Sequence, residues 1–111
     1  MRRLKATRTY LKRAKRLLDA AALDALHDFV AANPEAGDIV AGTGGVRKLR
    51  WGLAGQGKRG GVRVIHLYLG HRETIWLLDI YAKREQADLS PDDVKAIRRV
   101  VAAIKDEESP T

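Results

Sequence analysis

The chain of 111 residues and 12.3 kDa has the size of one domain with one hydrophobic core. Its apolar fraction of 45%, beside 32% charged residues, is typical of a folded protein and excludes a wholly disordered chain. The lack of cysteine excludes disulfides, a thiol nucleophile and thiolate metal sites. No apolar run approaches the roughly 20 residues of a membrane helix, so we expect a soluble, cytoplasmic protein without a membrane partner.

Basic residues outnumber acidic ones by 21 to 14, and the excess lies in two blocks that contain no acid. Residues 2–16 carry eight Lys or Arg side chains, and residues 39–72 carry seven more. Such blocks favour a polyanionic partner, because cations that neutralise phosphates release condensed counterions. The remaining basic residues alternate with acids and are typical of an ordinary surface.

In chain order, a short strand is predicted over residues 3–7 and an amphipathic helix over residues 8–18. One face of this helix is basic. Asp19 is the expected cap of a second helix that continues to Asn33, since Pro34 disfavours helical backbone in the residue before it. The two helices should form a hairpin.

Beyond Gly37 the apolar period changes from 3.6 to 2, which predicts strands. Three are expected, at Val46–Trp51, Val62–Leu69 and Thr74–Ala82. The link between the last two, from Gly70 to Glu73, is short enough for a tight hairpin, so the sheet should be antiparallel. Alternation along the middle strand places Arg63 on the side of Ile65.

The final helix should begin at Ser90-Pro91-Asp92-Asp93, which combines a cap, a first-turn proline and an acid. Its apolar stripe ends near Ile104, and the acidic tail from Asp106 should fray. Residues 1–111 are therefore predicted to form a single α+β domain. Two N-terminal helices would pack on one face of an antiparallel sheet, followed by a C-terminal helix, and the other face would be free for function.

Two phosphate-loop spellings occur, and both fail on context. Residues 55–60 fit G-x-G-x-x-G but precede a strand, and residues 52–58 spell G-x-x-x-x-G-K with Arg59 where Ser or Thr must bind Mg²⁺.

The histidines at 27, 66 and 71 are dispersed, so no metal or cofactor is predicted. His66 is expected in the core or on the sheet, with a role as general base as the alternative. Trp51 and Trp76 are expected to pack.

Three segments together resemble the RelE/HigB toxins of bacterial toxin–antitoxin pairs, particularly the HigB-like branch. They are GTGGVRKLRW (residues 42–51), GKRGGVRVIHLYL (57–69) and IYAKREQADLS (80–90). The resemblance implies a RelE/ParE fold. It also implies a ribosome-dependent mRNA endoribonuclease that inhibits translation, with an antitoxin, the ribosome and mRNA as partners.

The resemblance also implies which residues act. Catalytic roles fall on the basic side chains of the strands and their links, namely Lys48, Arg50, Lys58, Arg63, Lys83 and Arg84. RNA or ribosome binding is expected of Arg47 and Arg59 and of the basic helix through Lys12, Arg13, Lys15 and Arg16. The sequence departs from RelE where RelE has a tyrosine near its end, because Leu89-Ser90 stands there. Tyr81 is nearby but receives no role.

In a nuclease without histidine or metal, cations can perform much of the chemistry. Clustered cations disfavour one another's protonation, so Lys48 or Lys58 is the expected general base. Arg63 would stabilise charge on the phosphate, and Lys83 or Arg84 would assist the leaving group. Two alternatives stay open: a ParE-like inhibitor of DNA gyrase on the same fold, and a non-catalytic RNA-binding or ribosome-binding module.

Overall fold

The computed structural model describes residues 2–53 and 61–108. In chain order the elements are β1 (Arg3–Ala6), α1 (Arg8–Leu17), α2 (Ala20–Ala32), β2 (Asp38–Ile39), β3 (Arg47–Leu53), β4 (Gly61–Leu69), β5 (Thr74–Ala82) and α3 (Pro91–Glu108). A single 3-10 turn at Gly70–Arg72 makes the predicted short link from β4 to β5. The predicted helices and strands are confirmed with small shifts at their ends, and β2 is an element that the sequence did not predict.

The first two helices begin at side-chain caps. The Thr7 hydroxyl accepts a hydrogen bond from the Tyr10 amide at the start of α1 (3.1 Å). The predicted Asp19 cap is confirmed, since its carboxylate accepts from the Ala22 amide (2.8 Å). Each acceptor satisfies an amide that the first helical turn leaves without a partner. Only Leu18 and Asp19 separate the helices, which therefore form the predicted hairpin.

Helix α3 begins at a reciprocal capping box. The Ser90 hydroxyl accepts from the Asp93 amide (3.0 Å), and the Asp93 carboxylate accepts from the Ser90 amide (2.9 Å). Both residues were predicted for this role, and the helix starts at Pro91 as expected. The capping pair fixes the direction in which α3 leaves the turn after β5.

The prediction that the tail frays from Asp106 is wrong up to Glu108, where α3 ends. Glu108 is buried, and its carboxylate accepts a hydrogen bond from the Lys5 ammonium (3.2 Å). Its carbonyl also accepts from Nε of Arg72 (2.9 Å). These two contacts with distant basic residues hold the last helical turn in place. The acidic composition of the tail does not predict them.

The sheet has the strand order β1-β5-β4-β3-β2. Strands β2 to β5 are antiparallel neighbours, which confirms the predicted meander. Strand β1 is parallel to β5, with Arg3 opposite Thr74 and Ala6 opposite Leu77, so the sheet is mixed where a wholly antiparallel one was expected. No short turn joins β1 to β5, so the residues of β1 do not show whether the two strands run parallel or antiparallel. The pairing with β5 decides it.

Helices cover both faces of the sheet. Helices α1 and α2 pack on one face, as predicted, over a core that includes Tyr10, Leu26, Val30, Val64, Ile75, Leu77 and Ile80. Helix α3 packs on the other face, where Ile97, Val101 and Ile104 meet Val46, Ile65, Leu67, Leu69, Leu78 and Tyr81. The expectation that this second face is free is therefore wrong where α3 lies, because the apolar stripe of that helix also requires burial.

Candidate functional site

The strand register gathers basic residues on the face that carries α3. Arg50 on β3 is directly opposite Arg63 on β4, and Lys48 is opposite Ile65. Because side chains alternate along a strand, these three residues share a face with Ile65. The predicted placement of Arg63 on the side of Ile65 is confirmed. Lys48, Arg50 and Arg63, with Lys83 at the end of β5, are called the basic cluster below.

Arg63 is the buried member of the basic cluster. It is 6% exposed, whereas Arg50 across the strand pair is exposed. One of its guanidinium nitrogens donates to the Val62 carbonyl (3.4 Å). A guanidinium remains protonated near neutral pH, so the cluster holds a permanent positive charge that is largely removed from water.

The turn after β5 brings a carboxylate to the basic cluster. Nζ of Lys48 donates to Oδ1 of Asp88 (2.8 Å), and the same oxygen accepts from the Leu89 amide (2.8 Å). Nζ of Lys83 donates to the Ala87 carbonyl in the same turn (2.8 Å). Two cationic residues of the cluster therefore contact consecutive residues of one turn, a relationship that the sequence analysis missed.

The contacts of Asp88 keep it ionised. The hydrogen bond from Lys48 and then the one from the Leu89 amide hold the pKa of this carboxyl below its usual range, with Lys83 adding to the effect. The Lys48 ammonium is thus engaged as a donor to an anion. The predicted environment of that lysine contained only cations, so its role as a general base now requires this ion pair to open.

Tyr81 completes the arrangement on β5. It lies opposite Arg63 in the strand register and is 4% exposed. Its hydroxyl is buried and has no hydrogen-bond partner within residues 2–53 and 61–108. Burial raises the pKa of this phenol, and the charge of Asp88 raises it further. The site therefore contains a neutral O–H donor beside its cations.

The sequence profile of the RelE toxin of the RelE/RelB toxin–antitoxin system matches residues 2–109. The chain belongs to the RelE toxin family. Solved structures share its fold. An arginine double mutant of the free E. coli toxin RelE superposes with a TM-score of 0.58 at 12% identity, over 89% of this chain and 95% of that one. The isolated E. coli RelE toxin gives 0.54 at 16% identity, over 90% and 99%.

The intact E. coli RelBE toxin–antitoxin complex also contains a similar chain, with a TM-score of 0.55 at 16% identity over 74% of this chain and 96% of that one. At these identities the structural likeness shows the fold alone, and it confirms the predicted RelE-like α+β architecture. No described helix of this RelE-family chain combines the length and apolarity that a membrane crossing requires.

Among the described residues that the RelE resemblance implied, Arg47 and Arg84 do not belong to the basic cluster. Arg47 points to the opposite face of β3, where it donates to the Gly37 carbonyl (2.9 Å) and lies 3.7 Å from the Glu35 carboxylate. Arg84 is exposed in the turn after β5. Lys58 and Arg59 lie outside the described residues, as do the two phosphate-loop spellings for most of their length. Arg47 therefore makes structural contacts with residues that do not belong to the basic cluster.

The basic helix α1 divides into paired and unpaired cations. Arg13 donates to both carboxylate oxygens of Asp79 (2.8 and 3.0 Å), and Arg16 lies 3.2 Å from the Glu85 carboxylate. Lys12 and Lys15 are exposed, and no ion pair of theirs is found in the described part of the chain. The expected RNA-binding surface of this RelE-family chain is therefore most available at the two lysines.

Histidine plays no part in the basic cluster. His66 is fully buried on the face that carries α1 and α2, where its Nε2 is 2.9 Å from the Ala36 carbonyl oxygen. Burial lowers the pKa of this imidazole. The core placement is confirmed, and the sheet separates His66 from Arg63, which argues against the alternative role as general base. Over residues 2–53 and 61–108 no three His, Asp or Glu side chains form a metal-binding group.

Proposed function

We propose that this RelE-family toxin is a ribosome-dependent endoribonuclease that cleaves mRNA and so inhibits translation. The observation that carries the proposal is the position of Arg63, which is buried on the sheet with Arg50 opposite on one side and Tyr81 opposite on the other. A buried guanidinium beside more accessible cations suits a phosphate that gains negative charge during a reaction.

The proposed reaction is transesterification within RNA. The ribose 2′-oxygen loses its proton and attacks the neighbouring phosphorus, and the bond from phosphorus to the 5′-oxygen breaks. The leaving 5′-oxygen takes up a proton, which yields a 2′,3′-cyclic phosphate and a 5′-hydroxyl end. Arg63 stabilises the charge on the phosphoryl oxygens, with Arg50 adding attraction for the strand.

Lys48 or Lys58 accepts the proton of the 2′-hydroxyl in this proposal, and Lys83 or Arg84 assists the leaving oxygen. Lys48 would act once its ion pair with Asp88 has opened. General acid–base catalysis contributes roughly 10² to 10⁴-fold, and one well-placed donor to the developing oxyanion contributes roughly 10² to 10³-fold. These effects leave much of the acceleration to alignment of the 2′-oxygen with the scissile bond.

Alignment by the ribosome would supply the missing part, because a substrate held in line loses much of its entropic barrier. The free protein should then be nearly inactive on bare RNA. Lys12 and Lys15 on α1, which have no acidic partner among the described residues, are the proposed contacts to ribosomal RNA. Activity on translating ribosomes places the toxin in the cytoplasm.

An antitoxin is the proposed protein partner. The comparison structure named as the RelBE toxin–antitoxin complex shows that E. coli RelE binds one. An antitoxin segment that covers the basic cluster or the exposed face of a nearby helix would prevent access of RNA. The basic character of this surface favours an acidic segment.

The test is to map mRNA 5′ ends after expression of the chain in cells with and without active translation. New 5′-hydroxyl ends in translated regions are expected only while ribosomes translate. Arg63→Ala should abolish them, and Arg98→Ala, which removes an exposed arginine on α3, should not. Folding of each variant is checked by urea unfolding. Ends that persist in folded Arg63→Ala, or gyrase-linked DNA breaks without mRNA ends, would refute the proposal.

A further inference from the structure

The carboxylate of Asp88 occupies the acceptor position beside Lys48 that a phosphate would use. Oδ1 of Asp88 is 2.8 Å from Nζ of Lys48. The positive charge of Lys83 also attracts this carboxylate. A carboxylate and a phosphodiester both present anionic oxygens to an ammonium group, and both form short charge-assisted hydrogen bonds. Asp88 therefore satisfies Lys48 in the way that RNA would.

A competing anion can displace the ion pair between Asp88 and Lys48. The side chain of Asp88 is 66% exposed and that of Lys48 is 28% exposed. Water and salt screen a pair of this kind, so it is worth little compared with a buried one. A polyanion that brings several phosphates to the basic cluster can replace a single carboxylate at small cost.

Tyr81 supplies an unused donor at the same place. Its hydroxyl is buried without a hydrogen-bond partner in the described structure, which is costly for a polar group. Leu89, which follows Asp88 in the turn, packs against the apolar cluster that contains Tyr81. Movement of this turn away from Lys48 would therefore uncover the phenol as well.

We infer that Asp88 is an internal substitute for an RNA phosphate. A phosphodiester of the bound strand displaces it from Lys48 and then accepts a hydrogen bond from the Tyr81 hydroxyl, beside the Arg63 guanidinium. The inference deepens the proposed nuclease function and rests on it for the identity of the ligand. It adds Asp88, which competes with the substrate, and Tyr81, which contacts it, to the residues of the proposed site.

The first experiment measures the affinity of the full chain for a 2′-O-methyl RNA oligonucleotide, which cannot be cleaved, by fluorescence anisotropy at several salt concentrations. Asp88→Asn should bind about two- to fivefold more tightly, the fold-change that the loss of an exposed competing ion pair gives. The slope of log affinity against log salt should stay that of the unsubstituted chain, since Lys48 meets the single strand in both complexes. The matched control is Asp92→Asn, which makes the same charge change at an exposed position on α3.

The second variant tests the phenol. Tyr81→Phe should weaken binding of the same RNA by about tenfold, as expected for loss of one hydrogen bond to a charged acceptor, without changing the salt slope. Its midpoint of urea unfolding should stay the same or rise, because a buried unsatisfied hydroxyl is removed. Tyr68→Phe is the control, since the Tyr68 hydroxyl donates to Glu73 (3.4 Å) and the residue lies on the sheet face opposite Arg63.

The outcomes separate this inference from the proposed function. If Asp88→Asn matches Asp92→Asn in affinity, or Tyr81→Phe matches Tyr68→Phe, the inference is overturned while cleavage by the unsubstituted chain stands. Loss of cleavage in Asp88→Asn at unchanged RNA affinity would also overturn it, because the carboxylate would then act in the reaction. If the expected binding shifts occur in a chain that cleaves no mRNA, the phosphate site stands and the nuclease proposal fails.

Discussion

Arg50 and Arg63 are directly opposite each other on neighbouring antiparallel strands, so two guanidinium-bearing residues share one cross-strand position. Like charges at such a position repel and lower stability. A sheet selected for stability alone would place an acid or a neutral residue at one of the two sites. The pair is therefore the observation that most favours the proposal that this part of the sheet binds a polyanion.

Arg50→Gln should separate the two effects of this pair. Removing one charge relieves the repulsion, so the free energy of unfolding should rise by about 0.5 kcal/mol. The affinity for single-stranded RNA should fall, with a salt slope that is shallower by about 0.7. Urea unfolding and anisotropy titrations measure both. A lower free energy of unfolding would show that Arg50 stabilises the fold and contradict this interpretation.

The cations of α1 should differ in their effects. Lys12→Ala combined with Lys15→Ala should leave the free energy of unfolding within about 0.5 kcal/mol and weaken ribosome binding, because both lysines are exposed surface residues. Arg13→Ala should lower the free energy of unfolding by about 0.5–1 kcal/mol, since its two hydrogen bonds to Asp79 are lost. Cosedimentation with ribosomes and urea unfolding are the measurements. Equal ribosome binding by the double variant and the unsubstituted chain would contradict the role of α1.

Gly37 is required by two independent constraints. Its φ is +100°, and a Cβ atom there would lie 2.7 Å from the Lys48 carbonyl oxygen. Gly42 has a φ of +77° but nothing within 4 Å of an added Cβ. Gly42→Ala should therefore cost about 1 kcal/mol of unfolding free energy from backbone strain, and Gly37→Ala about 2–3 kcal/mol. Equal losses in urea unfolding would show that the close contact with β3 relaxes without cost.

Buried His66 should make the fold sensitive to mild acid. Burial lowers its pKa in the folded state, so the unfolded chain binds the proton first as pH falls below the ordinary imidazole value of about 6.5. The stabilisation is thus complete above that value and declines as pH decreases towards the folded pKa. The free energy of unfolding, measured at several pH values between about 7.5 and 5, should fall less steeply in His66→Gln. The exposed His71→Gln is the control, and an unchanged slope in His66→Gln would count against the prediction.

Local signals were sufficient for most secondary structure. The Asp19 cap and the Ser90–Asp93 capping box mark helix starts by bonds within one turn, and the change of apolar period marks the strands. Alternation also places Arg47 and Lys48 on opposite faces of β3, which argues against Arg47 in the predicted binding set. The two-residue strand β2 was missed because so short a segment has no period.

The partner of Arg63 on β5 could not be read from the sequence. A register shift between Ile65 and His66 adds one residue to β5, so Tyr81 lies opposite Arg63. Continuous pairing from the link at Gly70–Arg72 would have placed Ile80 there instead. A bulge of this kind reverses which side chains share a face, and no residue type marks it.

The amino-acid sequence by itself determined the helices, the meander, the basic strands and the face on which Arg63 lies, because caps and periodicity act over a few residues. Only the tertiary structure decided that α3 shares that face, that Tyr81 lies beside Arg63, and that Asp88 pairs with Lys48 across 40 positions of the chain. Contacts between distant segments depend on how strands shift and helices pack, and those energies are summed over the whole fold.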